Sequence, residues 1–267
     1  MWIKSGRVLV NGAAAKASYV IRGGEEIQVE PAELPPLKAT PEDIPLDILY
    51  EDPSVIAVNK PAGMIVHAGA GAHSGTLTNA LVHRFETLSQ LGGDLRPGIV
   101  HRLDRYTSGV ILVARDDCSH HILARQFSTR TIEKVYVALV HGLVAKDEGR
   151  ITTPIARDPV HRTRMTTRGA RGRSAITSYK VLRRFDKSTY LEVKIGTGRT
   201  HQIRVHLASI GHPVAGDKLY GAPASAHGRY FLHAAHITFT SPATGERVTV
   251  DAPLPTELRE WLSSVPE

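Results

Sequence analysis

The chain has a single cysteine, Cys118, in 267 residues. One thiol excludes an intrachain disulfide and any CxxC redox or metal pair. It fits a reducing compartment, with the cytoplasm as the expected location. Long apolar runs are also missing, since nothing approaches the ~20 residues that cross a bilayer. The opening Met1-Trp2-Ile3-Lys4-Ser5-Gly6-Arg7 lacks the apolar centre of a signal peptide. There is no internal repeat or low-complexity tract, and with 42% hydrophobic and 22% charged residues the disordered and fibrous classes drop out. Acids are the scarcer charge, 26 against 33 Lys and Arg, which leaves a formal net charge of +7. A positive field concentrates phosphates and favours a polyanionic partner.

What is present divides the chain in three. Residues 1–30 read as short strands and turns: Arg7–Val10, the tight turn Asn11-Gly12, and Glu26–Val29. Five prolines between residues 31 and 45 are incompatible with helix or central sheet and predict an extended linker. Residues 46–267 hold many short β-branched runs, with candidate strands at Ile48–Glu51, Val55–Asn59, Ile99–Leu103, Val110–Ala114, Val135–Val140, Ser174–Val181, Tyr190–Ile195, Tyr230–Phe239 and Arg247–Val250. Helical spacing appears at Leu77, Leu81, Phe85 and Leu88, at Ile122–Phe127 after a cap at Asp117, and in Pro255–Val265. Strands outnumber helices without alternating with them. The expectation is an α+β fold with a large, mostly antiparallel sheet and flanking helices.

Three segments carry chemistry. In Gly98–Ala114, two apolar runs flank the polar turn Arg102-Leu103-Asp104-Arg105-Tyr106-Thr107-Ser108-Gly109. A charged turn between buried strands is where function is commonly carried, the plain alternative being a surface hairpin with solvated charges. In Gly196–Pro213, Thr200 is a candidate N-cap, Ile203, Leu207 and Ile210 make an apolar face, and Gly211 suits the stop. Arg204 and His201 then lie in the first turn, where a cation opposes the helix macrodipole and calls for a carboxylate or phosphate partner. In Glu133–Gly142, strand alternation sets Tyr136 opposite Val135 and Val137, as a core residue or as a platform for a base.

His101–Gly109 resembles the signature of the large bacterial pseudouridine synthase family that modifies ribosomal and transfer RNA. Glu133–Tyr136 and Gly198–Leu207 resemble its second and third motifs, in order. Asn59–His67 is similar to its early loop and Gly211–Asp217 to its late one, so the likeness spans about residues 46 to 255. Within the family the likeness is greatest to the branch acting on a stem-loop of large-subunit ribosomal RNA. Tyr106 and Ala68 depart from the usual pattern. Residues 3–12 resemble the second half of an S4-like RNA-binding module, without its helical first half.

The resemblance implies a pseudouridine synthase catalytic fold with an active-site cleft, preceded by a partial S4-like module. It implies a monomer acting on RNA without a membrane partner. The reaction breaks a carbon–nitrogen glycosidic bond, turns the base and forms a carbon–carbon bond, and it requires no cofactor and no metal. Asp104 matches the nucleophile, Arg204 its ion-pair partner, and Tyr136 the residue that stacks on the target base. Arg102 matches the side chain that fills the space left by the flipped nucleotide. His101, Arg105, Thr107, Arg199 and His201 are further candidate RNA contacts. So are Arg168, Arg171 and Arg173, in a segment, Arg157 to Arg184, that holds nine Lys and Arg and one acid.

Other readings have less behind them. The histidine pairs His120-His121, His201/His206 and His233/His236 lack the HExxH pattern, and Gly69–Thr76 is a poor likeness of a phosphate loop, with no lysine before Thr76. A catalytically silent RNA-binding or ribosome-assembly factor, a transfer RNA synthase of the same family, and a glycosylase using Asp104 are the alternatives of substance.

Overall fold

The structure, a computed structural model, describes residues 2–3, 5–31, 38–69, 74–169 and 172–267. Residues 32–37 of the expected linker, residues 70–73 of the Gly69–Thr76 segment and the candidate Arg171 lie outside the described residues.

The chain divides into two compact units, Met1–Leu37 and Lys38–Glu267. In the first, β1 (Val8–Val10) pairs antiparallel with β2 (Ala13–Ala14) and β3 (Ile27–Val29). Asn11 and Gly12 turn the chain at φ 50° and 79°, the conformation an Asn-Gly pair adopts most cheaply. Among the described residues, Val10 is its one buried apolar side chain.

The second unit begins earlier than the composition implies. Residues 38–45, expected as linker, run along it: the Ala39 amide donates to Asp94 O (2.8 Å), and Asn79 Nδ2 donates to Thr40 O (2.7 Å). Two prolines therefore sit in an anchored strip whose hydrogen bonds go to its neighbours.

A nine-stranded sheet follows. Its strands are β4 (Ile48–Glu51), β5 (Val55–Lys60), β6 (Ser108–Ala114), β7 (Glu133–His141), β8 (Glu148–Ile151), β11 (Thr177–Arg184), β12 (Ser188–Ile195), β13 (Leu232–Thr240) and β14 (Arg247–Asp251), with the short hairpin β9 (Ala156–Arg157) and β10 (Met165–Thr166) standing off it. The order is β4-β5-β6-β13-β7-β12-β11-β8, and β14 pairs with β13. The β6/β13 pair is parallel and the others antiparallel. The sheet is thus mostly antiparallel, as expected, and mixed through one parallel pair, because β13 arrives at β6 after a long connection.

Helix α1 (Leu77–Arg84) starts at a capping box, with Thr76 and Asn79 exchanging hydrogen bonds. Helix α2 (Asp117–Thr129) is capped by Asp116, which accepts the Ser119 amide (2.8 Å). The expected cap, Asp117, instead takes Ser89 Oγ (2.7 Å) and the Gln90 amide (3.0 Å). Helices α3 (Gln202–Ser209) and α4 (Thr256–Ser263) complete the set.

The run Ile99–Leu103 is not a strand. Strand β6 meets β13 only through Ser108 and Gly109. Beyond that point Gly98 O takes the Ala114 amide (2.8 Å), and His101 Nε2 takes the Leu112 amide (2.8 Å). A loop and a side chain supply acceptors the sheet does not.

Candidate active site

One register row crosses the sheet beside the polar turn: Gly109, Ala234, Tyr136 and Val193 are successive partners on β6, β13, β7 and β12. Gly109 has φ 110°, and a Cβ there would lie 2.2 Å from Ala234 O. Only glycine lets β13 approach this closely, and the row sets Tyr136 across from the turn that carries Asp104.

That turn is pinned from beneath. Lys60, at the end of β5, is fully buried, and its Nζ donates to Pro61 O (2.8 Å), Met64 O (2.9 Å) and Arg105 O (3.2 Å). Three acceptors match the three N–H bonds of an ammonium. Burial, and then the charge of Arg229, push the amine down to about 7, against the attraction of Asp104. The Gly63 amide also donates to Arg105 O, and Arg105 Nε returns a bond to Gly63 O (3.0 Å). Asp104 is thereby held through the residue that follows it, Arg105.

The facing wall is α3. Its N-cap is His201, not Thr200, in the left-handed region (φ 54°, ψ 21°) with no side-chain cap bond. Gln202 stabilises the entry instead: its Oε1 accepts Thr197 Oγ1 (2.7 Å) and the Arg199 amide (3.1 Å), and its Nε2 donates to Ile176 O (2.9 Å). This geometry aims Arg204 at the turn. Arg204 Nη1 lies 3.2 Å from Asp104 Oδ2. Its Nε and Nη2 grip Asp217 at 2.5 and 2.9 Å, and the rings of Tyr230 and Tyr220 lie 4.4 and 5.1 Å from the guanidinium carbon. Burial disfavours the Arg204 charge. The Asp217 hydrogen bonds, Tyr230, and the charges of Asp217 and Asp104 outweigh it and raise the pKa above the ordinary value. Asp104 Oδ1 has no hydrogen bond among the described residues.

Between turn and helix lies a cavity of about 400 Å³, lined by Arg102, Asp104, Lys134, Tyr136, Arg199 and Arg204 among others. Burial, then the Asp104 charge, raise the Tyr136 phenol, so it stays protonated. Burial, then Arg130, bring Lys134 down to about 8. A carboxylate and an aromatic ring at the base of a positively charged cleft suit a planar base carried on a polyanion.

The candidates do not all stand together. Arg102 is exposed at the rim, Arg105 is exposed but does not line the cavity, and Arg199 is half-buried with Nε on Ser174 O (3.2 Å). Arg168 and Arg173 are exposed on the excursion between β8 and β11. His201 Nδ1 is taken up by Tyr220 Oη (3.0 Å). Thr107 is buried, its hydroxyl 3.2 Å from Tyr230 Oη, within reach only of a nucleotide inside the cavity. His101 serves the fold: it caps Leu112, its ring is 4.7 Å from that of Phe127, and burial, then Lys134, push it down to about 3. Its Nε2 is taken by a strand amide, while the ring remains part of the cavity lining. Sequence reading gave no role to Lys60, Asp217, Tyr220 or Tyr230. The one legible signal was a lysine closing the apolar strand Val55–Val58 just before a proline.

Residues 54–209 match the family model described as RNA pseudouridylate synthase. An RNA pseudouridine synthase of Bacillus subtilis (strain 168) is 44% identical over 266 residues, covering 99% of this chain and 87% of that one. The ribosomal large subunit pseudouridine synthase D of Neisseria meningitidis serogroup A is 42% identical over 277 residues, 98% of this chain and 73% of that one. Among solved structures, human RNA pseudouridylate synthase domain containing 1 superposes with a TM-score of 0.63 at 26% identity, covering 84% of this chain and 96% of that one.

Proposed function

The chain belongs to the RNA pseudouridylate synthase family, and from there we propose that it isomerises specific uridines of large-subunit ribosomal RNA with the Asp104 carboxylate as nucleophile. The observation that carries the mechanism is the Arg204 guanidinium, with two nitrogens on Asp217 and one on Asp104 at 3.2 Å. Asp217 fixes the cation, and the cation holds the Asp104 carboxylate in place when a base displaces the water around it. One carboxylate oxygen is then left for attack. The base leaves its stack, enters the cavity and lies against Tyr136, while Arg102 at the rim fills the vacated space at a cost of a few kcal/mol for unstacking. The C1′–N1 bond breaks, the base turns, and the C1′–C5 bond forms. The C5 proton is lost and N1 gains one, so the balance is that of an isomer and needs no co-reactant. The rRNA assignment is supported by the relatives named for the large ribosomal subunit. The first unit supplies a second RNA contact in this reading, as an S4-like fragment would.

The test is release of tritium to water from C5-labelled uridine. The enzyme should release it from large-subunit rRNA transcripts, with no free base formed. Asp104→Asn should abolish release and keep RNA affinity within a few-fold, because the amide keeps the shape and loses the nucleophile. Turnover by Asp104→Asn free of deamidated protein would remove Asp104 from the mechanism. Release from transfer RNA alone would move the target.

A further inference from the structure

The excursion Thr153–Thr177 leaves the sheet between β8 and β11 and carries β9 and β10. It is fastened to the catalytic helix at three places. His206, fully buried on α3, pairs through Nδ1 with Thr177 Oγ1 (2.8 Å) and through Nε2 with Thr153 O (2.9 Å), so one imidazole holds both stems. On β10 the Met165 amide donates to Tyr220 Oη (3.0 Å), the same oxygen that meets Nδ1 of His201, the left-handed cap of α3. The Tyr220 ring also carries two guanidinium groups, Arg164 of the hairpin at 5.6 Å and Arg204 at 5.1 Å. Arg164 Nε is buried without a hydrogen-bond partner among the described residues, and the nearest carboxylate, Asp158, lies 4.0 Å away. That nitrogen is out of an outside anion's reach, but 43% of the side chain is exposed and its outer guanidinium nitrogens, without a hydrogen bond among the described residues, are open to one.

We propose that Arg164 receives a backbone phosphate of the bound RNA and that Tyr220 is a positioning residue, carrying the seat of the hairpin to the cap of α3 and to Arg204. This rests on the synthase reading above. The hairpin is then more than a grip: the chemistry reaches full rate only when RNA seats it, because the Tyr220 hydroxyl has one bond to the hairpin and one to the element that aims Arg204. A hydroxyl held by two partners fixes both, and its loss frees both.

Tyr220→Phe keeps the ring under both guanidinium groups and removes the two hydrogen bonds. Its single-turnover rate at saturating enzyme should fall roughly tenfold, with RNA affinity within twofold of wild type. Arg164→Gln should weaken RNA binding, lower the log–log salt slope by about one, and slow the saturated rate. The double variant should be no slower than the slower single, because both act through one coupling. An unchanged saturated rate in Tyr220→Phe overturns the proposal, as do penalties that multiply in the double variant. Parallel loss of affinity and rate in Tyr220→Phe also overturns it, since that marks a general structural role. Wild-type enzyme releasing no tritium rejects the synthase reading instead. The Arg164 salt slope is read by binding alone and still judges the phosphate contact in that case.

Discussion

Arg204 occupies a costly position. It is buried, and it sits in the first turn of α3, where the helix dipole repels a cation. Two carboxylates and two aromatic rings offset that cost, and removing either acid leaves a buried charge short of a partner. His101 shows the opposite solution, a titratable group kept neutral. Its folded-state pKa of about 3 lies below the usual 6.5 because of burial and then Lys134. Between these values the unfolded chain binds a proton that the native chain refuses. Its contribution is therefore complete above pH 6.5 and is lost as pH falls toward 3, by at most ~1.4 kcal/mol per pH unit for one proton. His67, pushed down to about 4 by burial and then Arg96 and Arg102, adds to the same slope. Urea titrations from pH 7 to 4 should show wild type losing stability more steeply than His101→Gln. Equal slopes would mean that the imidazole is not held neutral.

At the scale of elements, the hairpin β9–β10 and its flanks gather cations outside the sheet. If the excursion and its surroundings neutralise ~5 phosphates, RNA binding should show a log–log salt slope of roughly −3.5 to −4.5. Replacing Arg168, Arg171 and Arg173 with neutral residues should flatten it by about two to three if all three touch phosphate. A slope that does not change would take those three out of the interface. How much of each element was legible depended on where its information lay. Strand β6 was legible because Val110–Ala114 is uniformly apolar, and α3 because Ile203 and Leu207 recur at helical spacing. The cap of α3 was not, since His201 adopts a left-handed conformation that Gln202 stabilises through partners some 25 positions away. The apolar run Ile99–Leu103 looks like a strand, yet it becomes a loop because the vacancy it fills beside β6 is created by β13, more than 100 residues on. Asp104 and Arg204 were legible through their motifs. Asp217, Tyr220 and Tyr230 act through contacts that no local pattern encodes, and of Lys60 only its place at the end of an apolar strand was legible.

At the scale of the molecule, every group assigned to the cleft lies in Lys38–Glu267, and so do the residues that brace it. Among its described residues, the three-stranded unit before it exposes most apolar side chains and buries only Val10, too little to contribute to a catalytic core. Residues 38–45 belong with the larger unit in energetic terms. Thr40 O takes the Asn79 side chain, Glu42 Oε2 takes the Gly75 amide (2.9 Å), and the Glu42 amide donates to Asn79 O (3.1 Å). Those bonds surround the capping box that starts α1. A chain beginning at Lys38 should therefore fold and modify a minimal stem-loop with a nearly unchanged single-turnover rate at saturating enzyme. A chain beginning at Leu46 strips these partners from α1, leaving the buried Asn79 amide unpaired at a cost of about 1–3 kcal/mol, and should unfold at lower urea. On long ribosomal RNA both should bind more weakly than the full chain, because a tethered second contact raises effective concentration without altering chemistry. The three proteins are compared by urea midpoint, by affinity for long RNA and by saturated rate on the stem-loop. Loss of the saturated rate in the Lys38 chain would make residues 1–37 part of the catalytic apparatus. Equal affinity of the Lys38 and full chains for long RNA would remove the first unit from RNA recognition.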